Sequence, residues 1–147
     1  MQSTRRGSGL ELAHKPTKPP DLVGQKGYKM NMECGKSWHG YDLDGTLAHY
    51  DTWRGHSHIG KPVENMVEHL KRDVANGIRV KIFTARISEA SLRLDGCSRD
   101  EAEKPIKDWC KKYLGFVPEI TCEKDCFCVK YYDDSAVPVF RNMGCLD

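Results

Sequence analysis

Short apolar runs alternate along the chain with segments in which apolar residues recur at helical spacing. Four such runs are predicted to be strands: 38–43, 79–84, 117–122 and 128–132. A helix is predicted from Pro62, which stands at a good first helical position, with apolar residues at helical spacing over 63–74 and Gly77 ending the pattern. Strands alternating with helices imply right-handed crossovers and a parallel sheet covered on both faces, which predicts an α/β fold.

A second helix is predicted over 98–114. Ser98 is a plausible N-cap, Glu101 completes a capping box, and Gly115 ends the helix. Pro105 falls inside this span, so a helix that begins there is an alternative. Other segments are predicted to be irregular or short: 47–61, 85–98 with one helical turn, and a terminal element over 137–140.

Residues 1–33 differ from the rest of the chain. They contain basic residues and prolines without apolar periodicity, which predicts a flexible basic arm ahead of one domain over 34–147. Composition favours a solvated tail without a specific role over an arm that touches a partner or nucleic acid. A translation start at Met30 or Met32 is a third interpretation.

Composition narrows the class of protein. The 147 residues suffice for one modest domain. The sequence contains no run of about 18 apolar residues, so a membrane-spanning helix is not expected. No apolar segment follows Arg5 and Arg6, so a secretory signal is not expected. A net charge of +2 does not by itself indicate nucleic-acid binding. Seven cysteines, an odd number, favour a reducing, cytoplasmic setting without disulfides.

The strongest chemical pattern is Asp42-Leu43-Asp44-Gly45-Thr46, at the end of the first predicted strand. Two carboxylates two residues apart at a strand's end point the same way, and ligands bind outside the carboxyl ends of parallel strands. Gly45 allows a sharp turn and a close approach to a ligand, and Thr46 adds a hydroxyl. An acidic turn that only caps the strand is the alternative, although two such charges call for a metal or a cationic partner.

A second acidic pair, Asp133-Asp134, follows the fourth predicted strand. In a parallel sheet both acidic pairs lie at the same edge, where three or four converging carboxylates suit a hard cation such as Mg²⁺. The alternative is that this pair merely caps the following turn. Together, the two pairs predict a metal site with ligands among Asp42, Asp44, Asp133 and Asp134.

Three further residues are candidates for binding an anion. Thr84 ends the second strand, where its hydroxyl and the following backbone N–H groups can hold phosphate oxygens. Arg86 can reach the same anion as a forked donor, or it forms an ordinary surface ion pair. Lys124, between the third and fourth strands, can neutralise a phosphate, with Lys104 and Lys107 as rivals.

Other residue groups favour ordinary roles. The spacing of Cys122, Cys126 and Cys128 lacks the second pair that zinc sites usually show. His56 and His58 are expected to be solvent-exposed rather than metal ligands. Trp109 and Tyr113 lie four residues apart on a helix, which is typical of core residues.

These motifs together resemble the haloacid dehalogenase (HAD) superfamily of phosphohydrolases over residues 37–142. Asp42 to Thr46 matches its first motif, Thr84 the second, Lys124 the third, and Asp133-Asp134 the fourth. The segment after Tyr132 looks most like small phage and bacterial members, and more loosely like the 3′-phosphatase domain of polynucleotide kinases. The resemblance implies a HAD-like, Rossmannoid three-layer sandwich.

The resemblance also implies a mechanism. Asp42 would attack phosphorus and form an aspartyl-phosphate, and Asp44 would act as general acid and then general base. Mg²⁺ would be bound by the Asp42 side chain, the Asp44 carbonyl and the fourth motif, with Asp134 favoured as ligand and Asp133 holding Lys124. Gly45, Thr46, Thr84, Arg86 and Lys124 would bind the substrate phosphate.

HAD proteins often carry a cap domain, inserted after the first or the third strand. In this chain the segments at both positions are short. Residues 47–61 and 123–127 are too few for a folded cap, so an open site is expected. An open site favours a protruding phosphate, and the leading hypothesis is a phosphomonoesterase acting on a nucleotide, another phosphorylated small molecule or a nucleic-acid 3′-phosphate end. A phosphoprotein phosphatase and a non-catalytic binding or assembly protein with the same fold are the alternatives.

Overall fold

The computed structural model describes residues 36–146, so the predicted arm over 1–33 lies outside the described residues. The strands are β1 (Trp38–Tyr41), β2 (Arg79–Phe83), β3 (Glu119–Thr121) and β4 (Cys128–Tyr132). The α-helices are α1 (Glu64–Ala75), α2 (Glu89–Asp95) and α3 (Arg99–Tyr113). A 3₁₀ turn, Ala85–Ile87, links β2 to α2.

The four strands form one sheet in the order β3-β2-β1-β4, and every pair of neighbours is parallel. The predicted α/β fold with a parallel sheet is therefore confirmed. β1 lies between β2 and β4, with Tyr41 opposite Ile82 on one side and Tyr132 on the other. The carboxyl ends of β1, β2 and β4 consequently meet at one edge, where the acidic motifs follow β1 and β4.

One face of the sheet carries the apolar core. Its strand residues Tyr41, Val80 and Ile82 are buried in one cluster with side chains from α1 and α3. The fully buried helix residues in this cluster are Leu70, Ala102, Ile106 and Cys110. Trp109 is also buried there, as predicted for a core residue, and its ring packs against Tyr113. This burial fixes α1 and α3 to the sheet and so fixes the strand ends that they flank.

The opposite face is aromatic. Trp38, Phe83 and Tyr131 surround Gly40, where an added Cβ would lie 2.9 Å from the Trp38 ring. The Lys81 ammonium lies 4.5 Å from the centroid of the Trp38 ring and 2.9 Å from a Glu119 carboxylate oxygen. Gly40 is therefore required by the close packing of these rings across β1.

A buried polar cluster joins α1 to β1 immediately before Asp42. The Tyr41 hydroxyl donates to the Asp73 carboxylate at 2.6 Å, and His39 Nδ1 lies 2.6 Å from the same oxygen. Burial, together with the bond to Asp73, raises the pKa of Tyr41. The Tyr132 ring stacks on Tyr41 with centroids 4.5 Å apart. These contacts hold the ends of β1 and β4 side by side.

The helix starts and ends differ in part from the predictions. α3 begins after Ser98, whose side chain and that of Glu101 form the predicted capping box, and it continues through Pro105 rather than beginning there. The predicted start of α1 at Pro62 is wrong. Pro62 instead pairs with Ala48 in an isolated bridge, and the helix begins at Glu64.

The segment 85–98 is more regular than predicted. Instead of one helical turn it contains the 3₁₀ turn and α2, with Ser88 capping α2 and Gly96 ending it at φ 63°. β3 is shorter than the predicted strand over 117–122. The predicted element over 137–140 is reduced to a bridge between Val139 and Leu146.

Among residues 36–146, no helix is both long enough and apolar enough to cross a membrane.

Candidate active site

The carboxylates that follow β1 and β4 converge. The Asp42 N–H donates to the Tyr132 carbonyl at 2.9 Å, which continues the pairing of the two strands to their ends. Oxygens of Asp42, Asp133 and Asp134 all lie within 4.8 Å of one another. Oxygen donors at this spacing fit a hard divalent cation such as Mg²⁺. The structure thus brings together three of the four predicted metal-site side chains.

Asp42 is destabilised as an anion by its surroundings. Burial raises its pKa to about 7, and the charge of Asp133 adds to the rise. The carboxylates of Asp44 and Asp134 act in the same direction. A cation among these groups would offset the repulsion and favour the ionised carboxylate.

The turn after Asp42 ties the two acidic motifs together. Gly45 has φ 86°, and an added Cβ would lie 2.7 Å from an Asp134 carboxylate oxygen. The Thr46 hydroxyl oxygen accepts from the Asp134 backbone N–H at 3.0 Å. Thr46 is buried and therefore positions Asp134. The hydroxyl for which a substrate contact was predicted is bonded within the site in this structure.

Asp44 is held by Arg86. The Arg86 Nε and Nη2 groups donate to the two Asp44 carboxylate oxygens at 2.6 and 2.8 Å. This bidentate pair fixes the carboxylate plane. Because Asp44 is engaged in this way, its side chain lies outside the group of three converging carboxylates. Asp42 and Asp44 are two residues apart, yet one faces other acids and the other faces a guanidinium.

Arg86 is buried, with 4% of its surface exposed, so the alternative of a surface ion pair is wrong. It also donates to the backbone carbonyls of His56 at 3.1 Å and His58 at 2.7 Å. Its guanidinium carbon lies 4.8 Å from the centroid of the Trp53 ring. These bonds leave little donor capacity for a substrate phosphate. The main contacts of Arg86 are to Asp44 and to the 47–61 loop.

Thr84 is at the carboxyl end of β2, as predicted. It is 3% exposed, and its hydroxyl oxygen accepts from the Arg86 backbone N–H at 3.2 Å. This bond caps the 3₁₀ turn and leaves the hydroxyl hydrogen available to an acceptor in the cleft. Thr84 therefore stays a candidate for binding an anion.

Lys124 is not brought to the acidic groups. It is exposed, and its ammonium lies 5.6 Å from the centroid of the Tyr131 ring. Within residues 36–146, no ion pair joins Lys124 to Asp133; the Asp133 carboxylate instead accepts from the Ser135 N–H at 2.8 Å. The rivals Lys104 and Lys107 pair with Asp108 and Glu103 on α3.

These side chains line one cleft of about 420 Å³. Its lining residues are Asp42, Asp44, Tyr50, Trp53, Thr84, Ala85, Arg86, Ser91, Asp133, Asp134 and Ser135. The sequence did not single out Tyr50, Trp53 or Ser91 as site residues. The only signal for them in the sequence was that two aromatic residues, Tyr50 and Trp53, lie in the 47–61 segment beside the acidic motif. The structure adds two aromatic side chains, Tyr50 and Trp53, to the predicted acidic and hydroxyl groups. We call these two residues the aromatic wall.

His56 also differs from its prediction. It is buried, whereas His58 is exposed as expected. His56 lies behind Arg86 rather than in the cleft, so its interactions are with the protein. Among the described residues, the only group of three or more potential metal ligands is Asp42, Asp133 and Asp134, and the cysteines at 122, 126 and 128 form none.

Comparisons with protein-family models, with curated proteins and with solved structures found no match to this chain.

Proposed function

We propose that this protein is a magnesium-dependent phosphomonoesterase that hydrolyses phosphate esters through an aspartyl-phosphate on Asp42. The proposal includes membership of the HAD superfamily and its three-layer form without a cap domain. One observation carries it: two carboxylates at the end of β1 share a cleft but have different partners. Asp42 faces the carboxylates of Asp133 and Asp134, and Asp44 is bound by Arg86.

In the first step, an Asp42 carboxylate oxygen bonds to phosphorus as the bond from phosphorus to the leaving oxygen breaks. Asp44 donates a proton to that leaving oxygen. Each Asp44 oxygen accepts one bond from Arg86, so the proton is carried on the remaining lone pair of one of these oxygens. Thr84 donates its hydroxyl hydrogen to a phosphate oxygen.

In the second step, Asp44 accepts a proton from water as the water oxygen bonds to phosphorus. The bond from phosphorus to the Asp42 oxygen breaks, which releases phosphate and restores the carboxylate. The bidentate contact with Arg86 orients Asp44 for this proton transfer. Lys124 has no step in this scheme, since its side chain lies against Tyr131.

Asp42, Asp133 and Asp134 would hold Mg²⁺ through their carboxylates. When bound, the ion supplies positive charge that reduces the repulsion between the anionic nucleophile and the anionic ester.

The aromatic wall supports a nucleoside leaving group. Tyr50 is 49% exposed at the cleft, and Trp53 lines the same cleft while its ring contacts Arg86. An exposed aromatic ring beside a phosphate site can stack on a base. We therefore propose a nucleotide or a nucleic-acid 3′-phosphate end as the substrate class.

The test is phosphate release from a panel of esters by the full chain, with Mg²⁺ and with EDTA. The panel contains para-nitrophenyl phosphate, nucleoside monophosphates, a 3′-phosphorylated oligonucleotide, sugar phosphates and a phosphopeptide. We expect Mg²⁺-dependent release, fastest for the nucleotide or oligonucleotide, and none from Asp42→Asn. Preference for the phosphopeptide would support a phosphoprotein phosphatase. No release from any ester would contradict an enzyme and favour a binding or assembly protein.

A further inference from the structure

A second cluster of polar side chains lies behind the cleft, where α2 meets the 47–61 loop. Asp95, the last residue of α2, lies 2.7 Å from His56 Nδ1 through one carboxylate oxygen. Its other oxygen accepts from Trp53 Nε1 at 3.3 Å. One carboxylate thus binds two side chains of a loop that is otherwise irregular. We call the contacts among Asp95, His56 and Trp53 the Asp95 clamp.

His56 connects the Asp95 clamp to Arg86. Its Nε2 lies 2.8 Å from the Arg86 backbone carbonyl, while the Arg86 Nη1 group donates to the His56 carbonyl at 3.1 Å. Both ring nitrogens of His56 face oxygen acceptors, and Cys97 Sγ lies 3.5 Å from Nδ1. The His56 side chain is 8% exposed, and Asp95 is its carboxylate partner.

The contacts form an unbroken series from α2 to the proposed general acid. Asp95 holds His56, His56 and Arg86 hold each other, and Arg86 holds Asp44. Trp53 also connects Asp95 to Arg86 without His56, because its Nε1 bonds to Asp95 and its ring lies against the Arg86 guanidinium. Arg86 and Asp44 line the cleft, whereas Asp95 and His56 do not.

α2 depends on such contacts for its own placement. The helix has seven residues, none of them buried, and of these only Leu92 packs, partly buried, against the apolar core. It nevertheless contributes Ser91 to the cleft. Polar bonds at its last residue are therefore a substantial part of what relates α2 to the loop.

We propose that Asp95 is a positioning residue: through His56 and Trp53 it fixes the 47–61 loop and Arg86, and thereby the orientation of the Asp44 carboxylate during proton transfer. This role rests on the proposed function, whereas the clamp itself does not require catalysis. Loss of Asp95 leaves His56 buried without its charged partner and frees the loop. Arg86 then keeps Asp44 less well oriented, and the step that needs a proton from Asp44 slows most.

The clamp is tested by hydrogen exchange, read by mass spectrometry on peptides covering residues 47–61. The full chain is compared with Asp95→Ala, with Asp95→Asn, and with the control Asp100→Ala, which changes an acidic residue in the first turn of α3. We expect faster exchange in this loop for Asp95→Ala, a smaller increase for Asp95→Asn, and none for the control. Unchanged exchange in Asp95→Ala would overturn the clamp.

The positioning role is tested with two esters in the same variants. We expect Asp95→Ala to slow β-glycerophosphate, a poor leaving group, by about 10–100-fold, part of the roughly 10²–10⁴-fold that a general acid contributes. The rate with para-nitrophenyl phosphate should fall far less. An equal fall for both esters indicates a merely structural effect and overturns the role. A wild-type chain inactive on every ester overturns the proposed function and this role with it, while loop exchange still decides the clamp.

Discussion

At the scale of single residues, the candidate chemistry depends on how neighbouring carboxylates are separated by their partners. Asp42 lies among acids, and burial with the charge of Asp133 raises its pKa to about 7. Asp44 receives two bonds from the Arg86 guanidinium. Groups of one residue type placed in such different surroundings can take different roles in one reaction. We therefore propose Asp42 as the nucleophile and Asp44 as the group that transfers protons.

Asp44→Asn should slow turnover by about 10²–10⁴-fold, because the amide cannot carry the proton to the leaving oxygen. The loss should be smaller for para-nitrophenyl phosphate than for an alkyl phosphate, since an aryl leaving group needs less protonation. Steady-state rates with both esters measure this. Asp51→Asn, an exposed change in the 47–61 loop, is the control. Equal losses with both esters would contradict the acid role of Asp44.

At the scale of elements, the turn after β1 and the turn after β4 form one unit. Gly45 approaches the Asp134 carboxylate too closely for a side chain, and Thr46 binds the Asp134 backbone N–H. The proposed metal site thus draws on two strand ends, and contacts between their turns hold it together. A change in one turn is expected to act on the ligand in the other.

Thr46→Val should raise the Mg²⁺ concentration needed for half-maximal activity. Valine has a similar shape but cannot accept from the Asp134 N–H, so Asp134 is held less firmly. Leaving that part-buried N–H unpaired costs about 1–3 kcal/mol, which should also lower the melting temperature modestly. Mg²⁺ titrations of activity measure the effect, with the exposed Thr52→Val as control. An unchanged Mg²⁺ requirement would argue against Thr46 as the support of Asp134.

The elements that the sequence predicts well are those that bury an apolar face. β1, β2 and α3 were recognisable because each contributes apolar residues to the core, such as Tyr41, Ile82 and Ile106. Such residues follow the spacing of their element. α2 buries no residue, so it leaves no apolar period to detect. β3 and the segment 137–140 were predicted too long for a related reason: apolar residues such as Val117 and Val137 are exposed there.

The residues of the candidate site also divide into those that the sequence predicts and those that it does not. Asp42, Asp44, Thr84 and Asp133-Asp134 were predictable because parallel strands bring their carboxyl ends to one edge. The surroundings of Arg86 were not predictable, because His56 lies 30 residues before Arg86 and 39 residues before Asp95, and these groups meet only through the path of an irregular loop. Local spacing carries no information about such contacts, which depend on tertiary packing.

At the scale of the whole molecule, the site is expected to lower the stability of the protein at neutral pH. The pKa of Asp42 is raised in the folded state, so the fold binds this proton more tightly than the unfolded chain does. The resulting stabilisation is fully present below the usual carboxyl pKa and is lost as pH rises through about 7. An ionised Asp42 without a cation therefore opposes folding.

Asp42→Asn should accordingly raise the melting temperature of the metal-free protein at pH above about 7, where the wild-type carboxylate is charged. The gain should shrink as pH falls towards the usual carboxyl range, because wild-type Asp42 is then protonated in both states. Thermal unfolding with EDTA across this pH range measures it. A gain independent of pH, or a loss at high pH, would contradict the repulsion inferred for Asp42.

The most direct test of the central claim is to trap the intermediate on Asp42. The full chain is mixed with substrate and Mg²⁺, quenched during turnover, and treated with borohydride, which reduces an acyl phosphate to an alcohol. We expect homoserine in place of Asp42, located by mass spectrometry in the tryptic peptide that spans residues 37–54. Active turnover that leaves Asp42 unmodified, or modification of a different carboxylate, would contradict it.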